Sequence, residues 1–227
     1  MKRFLLAALC LLVAACGTPA PATAPTAASG STSTRPSADE SAAVRAAFET
    51  YQKAVLAKDG AAAVSVLAGP IFDVYENYRT LALTATEQQL ATSLLSVRLA
   101  VYVMRGALDP AVLRTASSKD VVKAAVDRGL VGEQGVSNLA VGEVEVDGDK
   151  ASTEVIARGQ QAPYRFEFAR EDGAWKIDLR PLLDLADTGL AEVAKQRNLT
   201  PEQLLDQTLV AMYGPAKATE LRKPLGR

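Results

Sequence analysis

The chain contains no histidine and only two cysteines, Cys10 and Cys16. Without histidine there is no Ser-His-Asp or Cys-His relay and no histidine-ligated metal site. With both cysteines inside the first sixteen residues, the rest of the chain has neither a thiolate nor a disulfide. A glycine-rich phosphate loop is missing as well. Gly129, Gly132 and Gly135 follow no expected strand and precede no expected helix, so they read as a loop. The long apolar run at residues 4–13 spans about ten positions, where about twenty are needed to cross a bilayer. Bases and acids nearly balance, 25 against 26, and no basic cluster stands out. That argues against nucleic acid as a partner and against a second, electrostatic grip on anionic lipid. No metal and no cofactor is expected.

The N-terminus carries the strongest signal. Lys2 and Arg3 precede the apolar run, Ala14 and Ala15 follow it, and Cys16 comes next, ahead of Gly17. A basic start, a short apolar core and small residues make a signal segment. The cysteine directly behind them resembles the lipobox of a bacterial lipoprotein. The resemblance implies removal of residues 1–15 and lipidation of Cys16 with a diacylglyceryl group and palmitate-class chains. Two acyl chains suffice for stable anchoring where one does not. The protein would then be held on a membrane of the cell envelope, facing the periplasm or the exterior. Gly17 is not the aspartate that retains some lipoproteins in the inner membrane, which favours the outer membrane where one exists. Lipidation would also account for the odd cysteine. Loss of Lys2 and Arg3 would shift the net charge from −1 to −3.

Residues 17–36 are Pro, Ala, Ser, Thr and Gly with one charge, Arg35. Such a composition cannot offset the entropy of ordering, so residues 16–36 are expected to be a lipidated cysteine and a disordered tether. Residues 37–227 are long enough for one domain with its own core.

Ser37 and Glu40 form a capping box ahead of a helix whose expected buried face is Val44, Ala47, Phe48, Tyr51, Val55 and Leu56. Asp59 can cap a short helix over 61–68, which Gly69-Pro70 ends. Residues 71–108 read as helical and apolar around more than one face, stopped by Asp109-Pro110. A further short helix is expected over 118–128. Alternation then predicts strands over 139–146, 151–158, 164–170 and 174–180, with Asp147-Gly148 and Asp172-Gly173 as turns. Helices over 183–197 and 201–213 close the chain, the second capped by Thr200 and stopped by Gly214-Pro215. Helices first and a meander afterwards give an α+β class, with helices packed on a curved antiparallel sheet.

Two stretches, VRAAFETYQKAVLAKDGAAAVSVLA at 44–68 and YRFEFAREDGAWKIDL at 164–179, resemble the cystatin-like cone superfamily of nuclear transport factor two and ketosteroid isomerase. The segment 76–135 and the C-terminal helix pair are extra to that core. The resemblance implies a cone that can enclose a cavity. It also directs attention to Tyr51, Asp73, Tyr75, Tyr78 and Asp178, because isomerase sites of this kind use an aspartate base with tyrosine and a protonated acid. Each has a plainer reading. Tyr51 lies on an apolar helix face, Asp73 near a turn, and Asp178 on the polar side of its strand. Tyr51, Phe166, Phe168 and Trp175 are the candidates to touch a ligand, with a filled core as the alternative. No catalytic residue is assigned. The expected function is a non-enzymatic, lipid-anchored binding or envelope-associated module. The alternatives are a small-molecule or lipid carrier and an isomerase or dehydratase using Asp and Tyr. Residues 76–108 are the expected place for a protein partner or a dimer contact.

Overall fold

The computed structural model describes residues 37–131 and 133–226; the expected signal, Cys16 and the tether lie outside them. Helix α1 (Ala38–Ala57) starts on the Ser37–Glu40 capping box and ends at Lys58 in the left-handed region, φ 57°. Its buried face holds Val44, Ala47, Phe48, Tyr51, Ala54 and Val55. Leu56 is 43% exposed, contrary to expectation. It sits about 100° round the helix from Val55, outside the stripe. Asp59 caps α2 (Gly60–Ser65) through the Ala62 amide.

The expected long helical stretch is three helices: α3 (Pro70–Thr84), α4 (Glu87–Leu90) and α5 (Leu95–Ala107). Asp109-Pro110 does not merely stop it. Asp109 caps α6 (Pro110–Thr115), with Pro110 at the first helical position, where its missing N–H costs nothing. The same device recurs at Gly214-Pro215, which ends the helix over 201–213 as expected and also opens a further one, α11 (Pro215–Glu220). Helix α7 (Ser118–Asp127) and the short α8 (Glu133–Ser137) complete the first half. Gly135 therefore lies in a helix and not in a loop.

The sheet is an antiparallel meander in the order β1 (Leu139–Asp147), β2 (Lys150–Ala157), β3 (Gln160–Glu171) and β4 (Ala174–Asp178). Asp172 and Gly173 both take positive φ, 53° and 78°, the pair a tight hairpin requires. The last strand is shorter than expected because α9 (Arg180–Gln196) starts at Arg180, with Pro181 near its beginning. Helix α10 (Pro201–Tyr213) carries the expected capping box, Thr200 with Gln203. The protein is thus α+β, with helices both before and after the sheet.

Two cores result. One joins α1, α2, α7 and the start of α3 to the inner face of the sheet, through Phe48, Tyr51, Val55, Ile71, Val144, Val155, Phe166, Phe168 and Ile177. The other is wholly helical, built from the end of α3 with α4, α5, α6, α10 and α11 around Tyr102, Leu90, Leu113, Leu205 and Leu209. Helix α3 crosses from one to the other, with Ile71 and Phe72 in the first and Tyr78, Ala82 and Leu83 in the second.

Both outer strands are tied to other parts of the chain. Arg45 donates to the Val141 and Gly142 carbonyls, at a bulge in β1, and Gln52 donates to those of Val136 and Leu139. On the opposite side, Ile177 of β4 donates to the Val66 carbonyl and accepts from the Ala68 amide.

Candidate functional site

The inner face of the sheet is where the candidate ligand residues sit. Alternation along each strand turns Val144, Val146, Ala151, Thr153, Val155, Phe166, Phe168, Trp175 and Ile177 inward, and all are buried. Tyr51 meets them from α1 and is 8% exposed. Phe48 and Phe166 lie 5.2 Å apart between ring centroids, and Tyr164 meets Phe166 edge-on at 6.3 Å. The fold therefore brings Tyr51, Phe166, Phe168 and Trp175 into one cluster. Half-buried Tyr75, Leu139, Val141, Ala162, Tyr164, Leu182 and Leu183 border it.

Two polar atoms in this apolar surround find no partner among the described residues: the Thr153 hydroxyl, on a residue of 0% exposure, and the Trp175 indole N–H. Thr153 was not singled out from the sequence. Its signal was there, in the alternation Ala151-Thr153-Val155 that turns it inward. At the rim, burial pushes the Tyr164 hydroxyl above its ordinary pKa, so it stays a donor at neutral pH. The guanidinium of Arg170 covers the Trp175 ring at 4.3 Å. That arginine is held in turn by Glu40 at 2.8 Å and Asp149 at 3.4 Å.

The candidate acids lie elsewhere. Asp178 is on the opposite face of β4 from Ile177, beside Glu167 of β3. Its carboxylate accepts from the backbone and guanidinium of Arg180, and that hydrogen bonding holds its pKa below the ordinary range. Its side chain is only 14% exposed, more enclosed than the solvated face expected for it, because Arg180 folds over it. Asp73 is exposed, in the first turn of α3, and its charge adds to that of Asp178 in raising the Arg180 pKa. Glu167 has a raised pKa, mainly from burial.

Tyr78 packs in the helical core, with its ring 5.7 Å from that of Tyr75. Its pKa is raised by burial and then by Asp187 and Asp184 of α9. Asp187 is itself engaged, accepting from the Ser96 amide at 3.0 Å and the Ser96 hydroxyl at 2.7 Å. The structure thus separates the acid candidates from the aromatic cluster. Among the described residues, no group of three or more Asp, Glu, Cys or His is placed to hold a metal ion, and no helix is long and apolar enough to cross a membrane.

Comparison of the chain with protein-family models, with curated proteins and with solved structures returns no match.

Proposed function

We propose that the chain is a lipid-anchored lipoprotein of the bacterial envelope whose domain acts as a non-catalytic binding or envelope-associated module. The observation that carries the anchoring is the run Val13-Ala14-Ala15-Cys16 behind a basic start and an apolar stretch of signal length. The resemblance to the nuclear transport factor two superfamily draws support from a long α1 and a short α2 that pack with the antiparallel meander in one core, although six further helices stand between α2 and β1. The engagement of Asp178 with Arg180 supports a binding role over an isomerase role, since a general base must be free to reach a substrate.

The test of the anchor is Cys16→Ser. The expected result is loss of the lipid mass and movement from the membrane to the soluble fraction. Unchanged mass and fractionation would overturn the reading.

A carrier role has one observation in its favour, the enclosed Thr153 hydroxyl and Trp175 indole N–H on an apolar face. Trp175 is the chain's only tryptophan, so its emission reports on that face directly. A saturable change on titration with a single-chain amphiphile supports the carrier. An emission that does not respond leaves the domain's exterior as the binding surface.

A further inference from the structure

Helices α3, α5 and α9 meet where the two cores adjoin, and half-buried Tyr75 packs against both cores. Tyr75 and Tyr78 lie one turn apart on α3, with ring centroids 5.7 Å from each other. Asp184 and Asp187 lie one turn apart on α9. Asp187 is pinned to the start of α5 by the Ser96 amide at one carboxylate oxygen and the Ser96 hydroxyl at the other. Each oxygen keeps a lone pair for a further donor. Asp184 is exposed and makes no hydrogen bond among the described residues.

The charge at this junction is of one sign. The charges that act on the Tyr78 hydroxyl are those of Asp187 and Asp184. Among the described residues, neither carboxylate has a lysine or arginine within ion-pair distance. The Tyr78 hydroxyl is the second signal. The residue is only 7% exposed, and its hydroxyl forms no hydrogen bond among the described residues. Polar groups at such depth are almost always partnered. Yet the hydroxyl is not one of the sealed polar atoms, so it reaches solvent beside the two acids. Burial and those acids keep the phenol protonated, and its oxygen still has lone pairs for a donor.

We infer that Tyr75, Tyr78, Asp184 and Asp187 bind a primary alkylammonium group. Such a group carries one positive charge and three donors on one nitrogen. Asp184, Asp187 and the Tyr78 oxygen supply three acceptors, and the two rings offer π faces to the charge. A hard metal ion is served less well, since it takes six or more oxygens and no group of three acids among the described residues is placed to hold one. A free diamine and the lysine side chain of a partner share this chemistry. The inference rests on the binding-module reading and gives it a ligand class, but it does not involve Cys16.

The test is calorimetric titration of the full chain with putrescine and with Nα-acetyl-lysine amide. Saturable binding is expected, at a Kd of about 1 mM or tighter. Binding of putrescine alone marks a small amine as the ligand, and binding of the lysine amide marks a protein side chain. Tetramethylammonium has the charge without an N–H and should not bind. Tyr78→Phe keeps the ring and removes the hydroxyl, and Asp184→Asn removes one charge at an exposed position. Each should weaken binding about tenfold or more. No saturable binding of either amine, equal binding of tetramethylammonium or of calcium, or unaltered affinity in both variants overturns the inference. If Tyr78→Phe fails to fold, Asp184→Asn and the tetramethylammonium comparison decide. Cys16→Ser should bind the amine as the parent does, so the anchor and the site fail separately. The Trp175 titration reads the carrier alternative on its own.

Discussion

The ring of Tyr213 occupies the space that a side chain on Gly106 would need. A β-carbon built on Gly106 would stand 2.5 Å from the Tyr213 ring, well inside contact distance. Helices α5 and α10 approach closely there, and the Tyr213 hydroxyl reaches the Val103 carbonyl at 3.4 Å. Gly106→Ala would gain about 1 kcal/mol of helix propensity, but the displaced ring should cost about 1–3 kcal/mol. A net destabilisation in urea unfolding is expected. A stabilised variant would show that the two helices do not meet in this way.

Arg105→Met should be among the most damaging single changes. It removes a donor shared by four carbonyls at two helix ends, of which that of Leu81 keeps the Ala85 amide, at a cost of about 3 kcal/mol or more. For a domain of this size the melting midpoint should fall by about 6–12 °C. Arg105→Lys keeps the charge and loses the planar fork, so its midpoint should lie between the two.

Acid should unfold the protein through its paired carboxylates. The pKa of Glu202 is depressed chiefly by its hydrogen bonds to Arg98, that of Asp178 by Arg180 and that of Glu40 by Arg170. A depressed folded-state pKa adds stability that is complete above the unfolded value. It is lost as the pH falls through the folded one. The melting midpoint should therefore hold down to about pH 5 and drop below about pH 4. Glu202→Gln should lower the plateau and flatten that drop. Glu167 has the opposite sign. Burial raises its pKa, so its contribution is present below the unfolded value and is lost as the pH rises through the folded one. Glu167→Gln should leave stability at pH 7 unchanged or improved, and a clear loss there would contradict the burial argument.

Arg170→Ala should shift the emission of Trp175 to the red, because the guanidinium 4.3 Å away shields the indole from water. The same change frees Glu40 at the start of α1, so a small loss of stability should accompany the shift. An unshifted spectrum would mean that the stack does not persist in solution.

Much of the α+β pattern was legible because its cues are local. Ser37 with Glu40 and Thr200 with Gln203 are capping boxes that act within four residues. Asp172-Gly173 fixes its turn by backbone preference alone. What stayed hidden depends on partners far along the chain. The start of α5 has Leu94 where a capping side chain would be sought, and the cap comes from Asp187, which accepts from the amide of Ser96, 91 residues before it. Asp109-Pro110 and Gly214-Pro215 end α5 and α10 as expected, but the same prolines also open α6 and α11, and that double use is physical. A proline ends one helix as readily as it begins the next, and only the flanking cap tells which.

The candidate site was legible in part. Period-two alternation gathered Phe166, Phe168 and Trp175 onto one face, and helical spacing added Tyr51. The outward turn of Asp178 followed from the same alternation. The apolar run over 71–108 signalled a deeply packed helix, but nothing local marked Arg98 and Arg105 of α5 as buried with it, because they look like ordinary surface arginines. Their burial follows from α3, α10 and α11 closing over them.

The tied outer strands have a consequence for crowding. Chains held by one end on a shared surface, as the proposed anchor would hold these, meet one another at high local concentration, the condition under which open strands zip together into fibrils. Here the backbone groups of Ile177 are already paired with residues 66–68, and Arg45 and Gln52 occupy carbonyls of β1. At those positions backbone pairing between neighbours is closed, so contact there would have to proceed through side chains, which can be made selective.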